Sequence, residues 1–241
     1  MKLFSLSAFA LTLCLCLGGR VSAQAALLTP TYQFSKQKTS YITLKNGKEL
    51  EGNVRDFDRK RGITDYIKLK ATDGKTYKLE ASKIAHAYLH PSSFSSMASF
   101  FDDLDVQRWD KDLHEELFKD GYVYLETTRL KMGKKVVEVL IQVLNPHFSE
   151  GIRIYFDPNA SESAGVALGP VKLVGGLAKS YYVKKEGESV ATLLRKNEYG
   201  KIFAEFYEGC EQVMAFGKPK WKDFAQHAFL YSTECAASTA R

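Results

Sequence analysis

The chain has 241 residues, 34 Lys/Arg against 28 Asp/Glu, and 45% hydrophobic residues. That apolar content excludes a disordered chain, and the length suits one large domain or two small ones. The net charge of +6 bears on partners only through where the cations cluster.

In chain order, Lys2 and the apolar run over residues 4–17, broken by Gly18-Gly19, have the layout of a cleavable signal peptide. The run is shorter than the roughly 20 residues that a spanning helix needs. Val21-Ser22-Ala23 and Ala23-Gln24-Ala25 both fit the small-x-small cleavage rule. A signal peptide over residues 1–23 is therefore predicted, with the folded chain starting near Gln24 or Ala26. Leu13 and Leu15 precede Cys14 and Cys16, where a lipidation signal wants a small residue. The expected product is a protein released into a periplasm or outside the cell, free or associated with an outer membrane, rather than lipid-anchored. No second long apolar run follows, so no transmembrane helix is expected in the mature chain.

Alternating apolar and polar residues, punctuated by Asn46-Gly47, the basic turn Arg59-Lys60-Arg61-Gly62 and Asp73-Gly74, predict four or five short strands over residues 40–91. Closing short strands on themselves removes exposed edges, so a small SH3-like β-barrel is expected. Pro91 and the Ser-rich residues after it mark a domain boundary.

An α+β domain is predicted over residues 100–235. It opens with a partly helical acidic segment, residues 100–118. Strands follow over 122–131 and 135–144, the second too apolar for a strand with one wet face and so expected at a sheet centre. Further strands are predicted over 152–156, 166–174 and 179–185. Ser189 caps an expected short helix over 190–196. The spacing of Ile202, Phe203, Phe206, Cys210 and Val213 predicts a helix over 198–214, and Trp221, Phe224, Ala228, Tyr231 and Cys235 predict a last one. The fold class expected is thus α+β: a barrel, then an antiparallel sheet closed by C-terminal helices.

After leader removal only Cys210 and Cys235 remain, on the expected core faces of consecutive helices. An even count in an oxidising compartment favours a structural disulfide, although two buried free thiols or a redox pair remain alternatives. Its loop of about 25 residues corresponds to on the order of 3–4 kcal/mol in the chain-entropy account.

Residues 178–235 resemble the closing module of a group of uncharacterised exported proteins from Bacteroidetes-type bacteria. The resemblance rests on Lys179-Ser180-Tyr181-Tyr182-Val183, on Tyr199, Phe203, Phe206 and Cys210, and on Tyr231-Ser232-x-x-Cys235, with Gly175-Gly176 upstream. It departs at Gln212-Val213, where the group more often has proline. The resemblance implies export and a structural cysteine pair, and no activity.

Motifs for chemistry are sparse. The stretch from Gly175 to Ser180 lacks the Gly-Lys-Ser/Thr order of a phosphate loop. His86 and His90 on one strand lie roughly 13 Å apart, too far for one zinc, and His114-Glu115 lacks a second histidine at position 118. Asp102, Asp103 and Asp105 fail the EF-hand pattern, because Arg108 and His114 take the Gly and Glu positions. No Gly-x-Ser-x-Gly elbow occurs. No catalytic residue, metal ligand or cofactor is assigned.

Charge supplies the one hint of a partner. Residues 36–83 hold 13 Lys/Arg and 7 Asp/Glu. Arg59, Lys60, Arg61, Lys68 and Lys70 are the candidate surface for an anionic partner. The expectation is an exported, non-enzymatic binding or assembly protein, its partner an anionic envelope component or another envelope protein rather than nucleic acid. The alternative is a secreted hydrolase of glycan or peptide, using carboxylates of the second domain.

Overall fold

The structure is a computed structural model that describes residues 25–92, 113–160 and 178–236. Among these residues, ten strands form two antiparallel sheets. The first takes β1 (Thr39–Leu44), β2 (Glu49–Lys60), β3 (Ile63–Ala71), β4 (Thr76–Glu80), β5 (Ile84–Leu89), β6 (Val123–Met132) and β7 (Lys135–Gln142), in the order β4-β3-β2-β1-β5-β6-β7. The second takes β8 (Ile152–Phe156), β9 (Ser180–Lys185) and β10 (Thr192–Arg195), in the order β10-β9-β8.

The α+β class and the SH3-like barrel are both overturned. Strand outweighs helix, and neither sheet closes. The barrel inference assumed short strands with nothing to pair beyond them. Here β2 runs for 12 residues and β3 for 9, and β5 pairs with β6 (His86↔Glu126 through Leu89↔Val123) instead of closing on the hairpin. One sheet therefore joins strands from both sides of the expected boundary at Pro91.

The sheet curls without closing. At one end Gly62 of the β2–β3 turn meets Pro158. A Cβ on Gly62 would lie 2.4 Å from the Pro158 Cβ, and its φ of +79° independently excludes most side chains. Further along, β3 and β7 stay close but do not pair.

Strand β7 was expected at a sheet centre and lies at the edge. Its last four residues are buried nonetheless. Val143 bridges to Tyr155, and Gln142 receives the amino-terminal strap: its Oε1 accepts from Thr31 N at 2.8 Å and its Nε2 donates to Thr29 O at 3.2 Å. Burial there comes from layers and straps, not from two flanking strands.

The second sheet is buried on both faces, which its alternation explains. Ile152, Ile154, Tyr181 and Val183 join the core beneath the helices, while Tyr155 and Tyr182 join the core of the first sheet. Helices α1 (Glu115–Lys119), α2 (Lys196–Phe206), α3 (Glu211–Met214) and α4 (Phe224–Leu230) follow the expected periods only in part. The helix expected over 190–196 is instead strand β10. Antiparallel pairing with β9, from Thr192↔Val183 to Arg195↔Ser180, extends the chain there, and just before it Ala191 exchanges backbone hydrogen bonds with Arg129 and Lys131 of β6. The helix expected over 198–214 breaks before Cys210, where Gly209 adopts φ +78°. The expected strand over 166–174 lies outside the described residues, as does most of the acidic segment 100–118.

Among the described residues, no helix is long and apolar enough to cross a membrane. Cys210 and Cys235 sit at disulfide distance, with Cα atoms 5.5 Å apart. Cys210 precedes α3, and Cys235 lies in the last turns after α4.

Candidate functional site

Where the curled sheet fails to close, a cleft of about 460 Å³ opens between β3, β4 and the 3₁₀ turn Ala81–Lys83 on one side and β7 on the other. Its apolar floor includes Val139 and Leu140, both of β7, and Ala81. Thr64, Tyr66, Ser82 and Thr127 also line it, the Thr127 hydroxyl donating to Ile84 O at 2.6 Å.

The charged residues of the cleft are mostly paired. Lys60 Nζ lies 2.8 Å from Asp65 Oδ2, Lys83 pairs with Glu80 at 3.2 Å, and Lys45 pairs with Glu138. Lys78 Nζ sits 4.0 Å from the centre of the Tyr66 ring. The Tyr66 hydroxyl donates to Asp56 Oδ2 at 2.7 Å, and that bond pushes its pKa up to about 12. The same bond holds Asp56 below the usual carboxylate range, and the Asp65 bond raises Lys60. The lining is therefore polar and close to charge-balanced.

The five candidate cations do not form one surface. Arg59 turns inward and holds the strap: its two terminal nitrogens donate to Tyr32 O at 2.9 Å and Thr31 O at 2.7 Å. Its guanidinium lies 4.3 Å from the Phe57 ring centre. Burial lowers its pKa. Lys60 serves Asp65, and Arg61 occupies the turn with φ +54°. Only Lys68 and Lys70 lie exposed together on β3. Lys68 has Asp56 of β2 as its cross-strand neighbour on one side and Lys78 of β4 on the other. Acids thus interleave with the cations that the sequence groups together.

The histidines do not converge. His86 packs against the Tyr88 and Tyr124 rings, and burial lowers its pKa. His90 Nδ1 lies 2.8 Å from Pro91 O, and His114 Nδ1 lies 3.0 Å from Glu116 Oε1. Among the described residues, no group of three or more His, Cys, Asp or Glu could hold a metal ion.

Sequence reasoning missed a second polar centre, between the two sheets. Glu126 of β6, 6% exposed, pairs with Arg153 of β8 and accepts from the Tyr155 hydroxyl at 2.5 Å. Lys184 of β9 approaches the same carboxylate at 3.7 Å and donates to Thr128 Oγ1 at 3.0 Å. Burial depresses Lys184 and, with the Glu126 charge, drives the Tyr155 pKa far above its ordinary value. One carboxylate facing two cations and a phenol satisfies a buried charge from several sides. This cluster locks the sheets together. Its signal in the sequence is Glu126 itself, a charge on the strand face that also carries Tyr124, Thr128 and Leu130.

No known family model matches the chain, and neither does any curated protein or solved structure.

Proposed function

We propose that the chain is an exported, non-catalytic binding protein of the cell envelope or the extracellular space, and that its ligand occupies the cleft at the seam of the curled sheet. The leader pattern over residues 1–23 and the cysteine pair support export. The cleft carries the binding reading: paired charges, several hydroxyl-bearing residues and the Tyr66 ring around an apolar floor suit a polar, hydroxyl-rich ligand such as an envelope glycan better than a strongly anionic one.

Two measurements test this. Amino-terminal sequencing of the protein recovered from the exported fraction is expected to start near Gln24 or Ala26; an intact Met1 in that fraction argues against leader processing. A screen against envelope glycans and cell-wall fragments is expected to find a ligand that Ser82→Trp, which fills the cleft from an exposed position, weakens at least tenfold (about 1.4 kcal/mol). Undiminished binding by this variant and by Tyr66→Ala places the ligand elsewhere.

A further inference from the structure

Two of the large hydrophobic side chains most exposed among the described residues lie two positions apart: Met214 and Phe216, each 44% exposed. Exposed Lys218, Lys220 and Lys222 follow them, separated by Pro219 and the buried Trp221. None of the three lysines has an ion-pair partner among the described residues. That sets them apart from the paired lysines around the cleft. Of the neighbouring acids, Asp223 is half-buried and acts on Tyr199 and His227 beneath, while Glu211 begins the α3 turn whose other end is Met214.

Both ends of this exposed stretch are held firmly, and the Phe216 ring packs edge-on against His227 with centroids 4.9 Å apart. On one side Cys210 is tied at disulfide distance to Cys235, and Val213 is fully buried. On the other, the Trp221 ring stacks on Phe224 with centroids 5.1 Å apart, and its Nε1 donates to Ala178 O at 2.8 Å. Phe216 N donates to Val213 O at 3.1 Å, and Gly217 turns the chain with φ +113°. The result is a braced, exposed stretch, the tip, that carries two apolar side chains and then three lysines.

We infer that the tip from Met214 to Lys222 docks the protein on a bilayer surface with anionic headgroups. Met214 and Phe216 would enter the interface between headgroups and acyl chains, and the three lysines would meet the lipid phosphates. Apolar burial and cation attraction reinforce each other in such docking. Charge complementarity selects this occupant: a purely apolar partner would leave three unpaired lysines at its rim.

The test is co-sedimentation of the exported chain with vesicles of phosphatidylcholine alone and with vesicles that also contain phosphatidylglycerol. Binding is expected only to the second kind, with affinity falling as salt rises. The triple variant Lys218→Gln, Lys220→Gln, Lys222→Gln is expected to lose about a hundredfold, and Met214→Ser with Phe216→Ser at least tenfold. An unchanged urea midpoint in each variant shows that the fold is intact. Equal binding to both vesicles, wild-type binding by the triple variant, or lysine-dependent capture of an acidic protein without vesicle binding would each overturn the inference. Ser82→Trp is expected to bind vesicles normally, so failure of the cleft reading and failure of this one are separable.

Discussion

The Tyr155 hydroxyl of the second sheet donates a 2.5 Å hydrogen bond to the Glu126 carboxylate of the first. Arg153 and Lys184 face the same carboxylate from neighbouring strands. Removing the acid leaves two cations in a half-buried seam. Glu126→Ala is therefore expected to cost about 3–5 kcal/mol. Tyr155→Phe removes one hydrogen bond to a charged group and is expected to cost about 1.5–3 kcal/mol. Urea unfolding of both variants measures this, and two losses below 1 kcal/mol would show the cluster to be incidental.

Acid is expected to destabilise the fold through buried histidines. Burial pushes His147 down to about 3 and also lowers His227, whose Nδ1 lies 2.7 Å from the Tyr199 hydroxyl. The unfolded chain protonates these rings near pH 6.5 while the folded chain resists. Protons then bind the unfolded state preferentially, so stability falls as pH drops from about 6.5 toward 3. Urea midpoints at pH 7 and pH 4 report the loss. In His147→Phe the drop between the two is expected to shrink; an unchanged drop would assign the acid sensitivity to other groups.

Arg59 and Lys60 are adjacent in sequence and differ in role. Arg59→Ala removes two hydrogen bonds to the strap and is expected to cost about 2 kcal/mol or more. It should also speed amide exchange at Leu28 and Thr31, whose N–H groups bond to Leu144 O and to Gln142. Lys60→Ala breaks a solvent-screened, exposed pair and is expected to leave the urea midpoint close to that of the wild type. Equal effects would contradict the clamp.

The cysteine pair predicts that thiol counting under denaturing conditions finds no free thiol from Cys210 and Cys235 before reduction and two after. Cys210→Ser with Cys235→Ser is expected to lose about 3 kcal/mol. Two free thiols without reductant would remove the brace proposed for the tip.

Strand positions were legible because alternation and turn residues are local. Asn46-Gly47 and Asp73-Gly74 mark the β1–β2 and β3–β4 hairpins, and the apolar spacing from Trp221 to Ala228 marks the last helical segment. Strand β10 was misread because its extended state comes from antiparallel pairing with β9, from Thr192↔Val183 to Arg195↔Ser180, which overrides the local helical spacing. The cations of residues 59–70 read as one patch because sequence neighbours share a line of text; on a strand they alternate between faces, so Arg59 turns to the strap while Lys68 meets Asp56.

By itself the sequence determined most of the strand segments and their turns, from β1 to β9, as consequences of short-range periodicity and residue chemistry. Tertiary structure alone decided that β5 passes its edge to β6 instead of closing a barrel, that Glu126 joins two sheets, and that a cleft remains at the seam. Strand order depends on which edges meet after chain reversals dozens of residues apart. No local pattern encodes that choice; burial and backbone pairing across the whole fold select it.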